Sequence, residues 1–533
     1  MPSRAGSRSL RAPIGLAVLA IAILGAAQSA LARNAVVVDR DSTAVTVFDA
    51  GTGSLIKPLI PTGAGAEAEP FGVAITPDGS TAYVTNSEED KGKSVNTINV
   101  AAGTNGVEIT PFDPGTVGVA ITPDGKRAYV ASKTAATVSA IDTATNTLVG
   151  PPIEVGVAGE SFDRGVAITP DGSHVYVARF GDDEVSMIDT ATNLVIGNPI
   201  AVGDGPRAMA ITPDGRRLFV TNNNDSATGN SVSVIDTSTN TVIGAPIPVG
   251  LEPRGITITP DGSRAYVANQ AANSVSVIDT ATDTVVAAPI TVAKDPVGIA
   301  VTPDGSRVLV SSEEDAPNNV ITPISTTTNT AGPSFQSGGD APAEIAVVPN
   351  QAPKAAFSAS HTSKKPTSET FNGLGSSDSD GTIARFDWNF GDGQSVANGG
   401  PSPTHGYKPG SYTTTLTVTD NEGCSTRFVF TGQTASCNGS GVATVSHTVG
   451  IPPQTMIKKH PKKKSKSEKA KFKFSANEGG AKFKCKLDGK KFKKCGKAFK
   501  VKVKTGKHRI QVKAIGKGGA DPTPAKFKWK VLP

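Results

Sequence analysis

The sequence predicts an all-β protein whose largest part, residues 35–350, is a seven-bladed β-propeller. Three observations carry this. The tetrapeptide Thr-Pro-Asp-Gly begins at Thr76, Thr122, Thr169, Thr212, Thr259 and Thr302, at intervals of 46, 47, 43, 47 and 43 residues, and a degraded seventh copy, Val348-Pro349-Asn350, follows 46 residues after Thr302. The chain is rich in turn formers, with 57 Gly and 38 Pro, and has no long segment of helical periodicity, so it reads as strands punctuated by turns. Each repeat holds four short strands, the content of one propeller blade, whereas a sandwich does not repeat at one period.

A chain of 533 residues exceeds what one hydrophobic core fills, so several domains are expected. At the N-terminus Arg4, Arg8 and Arg11 precede the apolar run 12–27, and Ala30-Leu31-Ala32 follows. A basic region, an apolar region and an A-x-A site read as a secretory signal peptide, residues 1–32. As an uncleaved anchor the run is short, 16 residues where about 18 or more are wanted. No later stretch is apolar enough to span a bilayer. The mature chain is therefore expected to be secreted, extracellular or cell-surface associated, with no membrane span after cleavage.

In the fifth complete repeat residues 255–259 form a strand, Pro260-Asp261-Gly262 turns, and residues 264–269, 274–279 and 284–292 supply three more strands. Pro presets φ in the turn and Gly takes the conformation that bulkier residues avoid. The Asp-Thr-Ala-Thr-Asn segments starting at Asp142 and Asp189, with variants at Asp236 and Asp279, make the next hairpin. The ends of the region are incomplete in a complementary way. Residues 35–38 correspond to a second strand and residues 344–348 to a first, so one blade is expected to join a C-terminal strand to three N-terminal ones and close the ring.

These units resemble the YVTN-repeat propeller family, spelled out at Tyr83-Val84-Thr85-Asn86 with variants at 129–132, 176–179, 219–222 and 266–269. Beyond the linker Gln351-Ala352-Pro353-Lys354, residues 355–449 resemble a PKD domain through Asp378-Ser379-Asp380-Gly381, Trp388-Asn389-Phe390-Gly391-Asp392-Gly393, Gly410-Ser411-Tyr412 and the alternating run 415–419. Residues 452–533 look like a small bacterial immunoglobulin-like domain of the kind appended to exported actinobacterial proteins. Phe483-Lys484-Cys485, Cys495, the run Asp521-Pro522-Thr523-Pro524 and Trp529 carry that likeness. The resemblances imply a seven-bladed β-propeller followed by two immunoglobulin-like β-sandwiches, divided as 1–32, 33–352, 353–449 and 450–533. The four cysteines form two close pairs, and in an exported chain Cys424 with Cys437 and Cys485 with Cys495 are expected as local disulfides. Asp378, Asp380, Asp387 and Asp392 either gather round a hard cation or shape turns, and turn shaping is the commoner use of Asp-Gly pairs. No metal site is expected.

The net charge of +6 hides an asymmetry. Residues 33–352 carry 17 basic and 36 acidic side chains, residues 353–449 carry 6 and 7, and residues 450–533 carry 27 and 4. In the last segment Lys alternates with apolar residues at Lys471 and Lys473, at Lys500, Lys502 and Lys504, and at Lys526, Lys528 and Lys530. Period two puts the apolar set in a core and the lysines on a solvent face. These eight lysines are the candidate polyanion-binding residues. An anionic cell-wall or extracellular polymer is the expected partner. Specific nucleic-acid binding is not expected, because the faces carry Lys rather than an Arg and aromatic base-reading set.

Catalytic signatures are absent from the sequence. The propeller holds one histidine, His174, no Gly-x-Ser-x-Gly elbow with a base, and no phosphate-binding loop before a helix. No cofactor is expected. Aligning the residue before each first strand gives Phe71, Val117, Arg164, Arg207, Arg254, Val297 and Ala343. Arg164, Arg207 and Arg254 would thus stand near the channel mouth, beside the acidic loops at 88–90, 182–184 and 313–315. Either each Arg pairs with a neighbouring carboxylate, or the three form an anion-binding arc for a protein or glycan ligand. The expected function is a cell-surface binding or adhesion protein, with the propeller as ligand platform and the Lys-rich domain as electrostatic anchor. The alternatives are a propeller enzyme of the lactonase kind and a structural surface-layer component.

Overall fold

The computed structural model describes residues 33–63, 69–87, 93–156, 165–223, 230–313, 319–361, 368–425 and 443–533. Among them every regular element is a strand. The repeats fold into seven antiparallel sheets arranged around a central channel, each with its first strand innermost. Blade 5 shows the pattern, with Pro206–Ile211, Arg217–Asn222, Ser231–Asp236 and Thr241–Pro248 in that order. In blade 6 the expected fourth strand is split into Thr284–Val285 and Ile290–Thr291, both paired with Ser274–Asp279. Pro289 lies in the break, and an outer edge tolerates a residue with no N–H to donate.

The ring closes as the ends of the repeat region predict. Asn34–Asp39 pairs on one side with Ala44–Asp49 and on the other with Pro342–Val347, in the register Ala35↔Val347, Val36↔Ala346, Val37↔Ile345. Apolar residues of adjacent blades interdigitate to give a chain of clusters rather than one core, as nearest-neighbour architectures do. Two repeated side-chain devices reinforce the blade contacts. Tyr83, Tyr129, Tyr176 and Tyr266 are buried in second strands and donate their hydroxyls to Asn146, Asn193, Asn240 and Asn329 of the next blade at 2.5–2.7 Å. These Asn residues sit at φ of 53–55°, a conformation Asn tolerates better than most residues. The glycines of the Thr-Pro-Asp-Gly turns have φ of 68–73°, and a Cβ on Gly262 would stand 3.1 Å from Pro213 of the preceding turn.

The PKD segment is a two-sheet sandwich. Ser358–His361, Ser368–Asn372 and Thr404–Gly406 face Ser395–Val396, Ile383–Asn389, Gly410–Asp420 and Thr444–Ile451 across a core of Phe371, Trp388, Phe390, Leu416 and Val449. Trp388 Nε1 donates to the Gly400 carbonyl at 2.9 Å. The last segment is a second sandwich. One sheet holds Thr455–Lys459, Lys469–Ala476 and Ala498–Lys502, the other Lys464–Ser465, Ala525–Val531, Gly506–Gly516, Lys482–Leu487 and Lys493–Cys495. Cys485 and Cys495 are bonded with Cα atoms 5.8 Å apart. Cys424 is also disulfide-bonded, and its expected partner Cys437 lies outside the described residues.

Candidate functional site

The two ends of the propeller differ. At the end bearing the Thr-Pro-Asp-Gly turns, the PKD sandwich is seated on the ring. Gln351 Nε2 donates to the Pro77 carbonyl at 2.7 Å. Ser379 lines a cleft of about 530 Å³ against the turns of Pro77 and Pro123, and Glu422 lines one of about 350 Å³ against the turns of Pro260 and Pro303. The sandwich therefore reaches turns on opposite sides of the ring. Arg33 fixes it there: its guanidinium, buried at 7% exposure, binds Asp380, Asn350 and Glu422, the Nε–Oε1 distance being 2.6 Å. Asn350 in turn donates to Asp420 at 2.9 Å.

This crowding of carboxylates around one cation shifts their titration. Burial, and then the neighbouring Asp380, push Asp378 up to about 7. Burial also raises Asp420 and Glu422, although Asn350 relieves the first and Arg33 the second. For Arg33 burial opposes the charge, but Glu422 and Asp380 hold its pKa above the ordinary value. The four aspartates considered for a cation do not converge. Asp378 and Asp380 belong to this junction, Asp387 binds Arg385 at 2.8 Å, and Asp392 binds His405 at 2.9 Å.

The channel is narrow at the turn end, a cavity of about 60 Å³ lined by Ile75, Ile121, Ile168, Ile211 and Ile299 with Glu344 and Thr257. First strands also approach one another closely toward their starts, at the other end: a Cβ on Gly72 or Gly298 would lie 2.2–2.3 Å from a carbonyl oxygen of the next blade. That end is where Arg207 and Arg254 lie, on successive blades at the starts of first strands, both half-buried. Arg164 lies outside the described residues. The Arg207 guanidinium is 5.9 Å from the ring centroid of Phe180, in the loop between second and third strands of the preceding blade, a cation–π distance. First-strand starts and these loops thus share one face, as expected. Of the acidic loops, Asp182 and Glu184 bind Arg179, and Glu313 binds Arg40 at 3.4 Å. Arg179 and Arg40 are cations of this face that the alignment of first strands did not find, because they end or follow second strands.

In the C-terminal sandwich the alternation holds strand by strand. Ala470, Phe472 and Phe474 are buried between exposed Lys469, Lys471 and Lys473, and Trp529 and Val531 flank exposed Lys530. The eight candidate lysines do not form one surface. Lys471, Lys473, Lys500 and Lys502 project from the three-stranded sheet, Lys526, Lys528 and Lys530 from the other sheet, and Lys504 lies in the connection after Ala498–Lys502. The second face also carries Lys484, Lys507, Arg509 and Lys513, which the sequence patterns singled out did not include. Across strands the cations oppose one another: Lys469↔Lys502, Lys471↔Lys500, Lys484↔Lys513, Lys507↔Lys530 and Arg509↔Lys528. Like charges directly opposite one another across a strand pair are destabilising.

Residues 350–433 match the family model of a PKD domain, and residues 112–242 match that of a lactonase, 7-bladed beta-propeller. Among solved structures, a candidate 6-phosphogluconolactonase from Bacteroides uniformis ATCC 8492 is 15% identical with a TM-score of 0.50, over 60% of this chain and 100% of its own. A functionally unknown protein from Desulfotomaculum acetoxidans DSM 771 is 19% identical with a TM-score of 0.49, over 59% and 98%. Kuenenia stuttgartiensis hydrazine synthase is 23% identical with a TM-score of 0.45, over 52% and 88%. At such identities the likeness concerns the fold. The chain is thus a seven-bladed β-propeller with YVTN-type repeats, part of which matches the lactonase propeller model, continued by a PKD domain and a second β-sandwich.

Proposed function

We propose that the protein is an exported, cell-surface binding protein, anchored electrostatically by its C-terminal sandwich and presenting the open end of the propeller to a ligand. The observation that supports this most is the cross-strand opposition of lysines. The sequence bears a cost in stability to concentrate positive charge, which an anionic cell-wall or extracellular polymer relieves. Arg207 and Arg254 at the uncovered end suit an anionic group on a protein or glycan ligand. Among the described residues no helix is long and apolar enough to cross a membrane, and the Cys485–Cys495 disulfide suits an oxidising compartment. Sedimentation of the protein with purified wall at increasing salt tests the anchor. Binding should weaken steeply as counterion release is suppressed, and retention insensitive to salt contradicts it.

The match of residues 112–242 to the lactonase model supports a second reading, in which the same mouth hydrolyses a lactone and the arginines hold an anionic group of the substrate. Turnover of 6-phosphogluconolactone, abolished by Arg207→Ala, would establish it.

A further inference from the structure

We propose that the C-terminal sandwich holds two anionic polysaccharide chains at once, one on each outer face, and so cross-links the polymer to which it is anchored. The proposal rests on the electrostatic-anchor reading above and deepens it by assigning two sites in place of one surface.

Two independent lysine rows carry it. Phe472 and Phe474 from one sheet meet Ile510 and Trp529 from the other in a single core, so the outer faces of the two sheets point in opposite directions. Packed sheets stand about 10 Å apart, and the lysine side chains extend outward from both. One extended polymer cannot lie on both faces without turning round the edge of the sandwich. On the three-stranded sheet the row is Lys469↔Lys502 and Lys471↔Lys500. On the other it is Lys484↔Lys513 and Arg509↔Lys528. Along a strand alternate residues are about 6.8 Å apart and neighbouring strands about 4.8 Å apart, so each face is a grid of charge that a linear polyanion can follow.

The domain's own acids do not neutralise these grids. Of the four in residues 450–533, Asp488 holds His508 at 2.8 Å, Asp521 is buried and accepts the Thr455 N–H at 2.8 Å, and Glu478 accepts the Lys517 N–H at 2.8 Å. Glu468 lies 3.5 Å from Lys502, and Asp488 shares a cleft with Lys507, Arg509, Lys528 and Lys530, two carboxylates against many cations. Counter-charge comes from outside the domain, separately for each face. The choice of 26 Lys and one Arg favours a hydrated point-charge contact with a flexible carboxylated polymer over the bidentate recognition in which Arg excels.

The test uses the full-length mature protein with short oligogalacturonate and long polygalacturonate, in chelator so that no divalent ion gels the polymer, and with duplex DNA in parallel. Variants strip most of the charge from one face (Lys469→Gln, Lys471→Gln, Lys473→Gln, Lys500→Gln, Lys502→Gln), from the other (Lys484→Gln, Lys507→Gln, Lys513→Gln, Lys528→Gln, Lys530→Gln), or from both. The parent should bind about two short chains per molecule and make long polymer turbid at intermediate ratios, clearing in excess polymer. Each one-face variant should bind about one short chain and lose the turbidity, and the two-face variant should lose binding. Saturation of the parent at one chain without turbidity, or one-face variants that still cross-link, overturns the two-site proposal while leaving the anchor intact. No binding of either polygalacturonate or DNA overturns the anchor itself. Binding of DNA alone overturns the choice of polymer. Because each substitution removes a like-charge contact, the variants should melt no lower than the parent, which separates loss of binding from loss of fold.

Discussion

Asp39 is fully buried at the end of the second strand of the closing blade and accepts the Thr46 hydroxyl at 2.5 Å. Burial, with a smaller push from Asp340, raises its pKa from 3.8 to about 7 against hydrogen bonds from Thr46, Ser337 and Gly339. Between those values the folded chain keeps a proton that the unfolded chain has lost. Stability therefore falls as pH rises through that window and is lowest above it. The equivalent position is Asn86, Asn222 or Asn269 in other blades, so Asn fits the site. Asp39→Asn is expected to melt higher than the parent at pH 8, with a smaller gain at pH 5, in calorimetric scans at the two values. The tyrosine latches make a second prediction. Tyr176→Phe should cost about 1 kcal/mol in denaturant unfolding, the net worth of one hydrogen bond. Blade 5 carries Phe219 in place of the tyrosine, and its opposite number is Asp283 in place of Asn, bound at 2.9 Å by Arg217. Arg217→Ala should cost more than Tyr176→Phe, because it strands a partly buried carboxylate rather than a neutral amide.

At the scale of strands, closure of the ring rests on one terminal hairpin. Deleting residues 35–49 removes the two strands between Pro342–Val347 and Leu55–Pro61 and leaves an unpaired inner edge, which light scattering should register as aggregation. This closure was legible in the sequence because the repeat is strict enough to show which strand each end lacks. The lysine alternation was legible for the same reason, as a period of two. Cross-strand register was not, since a period says which face a lysine takes but not which lysine it meets. Lys464, which no local pattern marks, lies opposite Lys530 across a parallel pair. The opposition itself predicts that added salt raises the melting temperature of the C-terminal sandwich by screening the repulsion.

At the scale of the molecule, the seat of the PKD sandwich on the turn end could not be read from any repeat. It depends on contacts among Arg33, Asn350, Gln351, Asp380 and Glu422: Arg33 lies more than 300 positions before the others, and the motifs that hold Asn350 and Asp380 do not say what these residues meet. Removing the cation from such a buried cluster is expected to cost about 3 kcal/mol or more. Arg33→Ala should therefore speed proteolysis in the linker at 351–354 while the circular dichroism of the strands persists.

The long PKD strand Gly410–Asp420 has the propeller at one end and the basic sandwich at the other. Asp420 is held by Asn350, and the Gly410 carbonyl lies against Gly518, where a Cβ would approach it to 2.3 Å. Eleven residues of strand span about 33 Å. The strand acts as a mast, with its base in the charged sandwich and the propeller at its top, mouth turned away. Under the anchor proposed above, a molecule gripped by its lysines would have a heading as well as a location. A lawn of such molecules on one polymer would point every open mouth outward, toward whatever arrives from the surroundings.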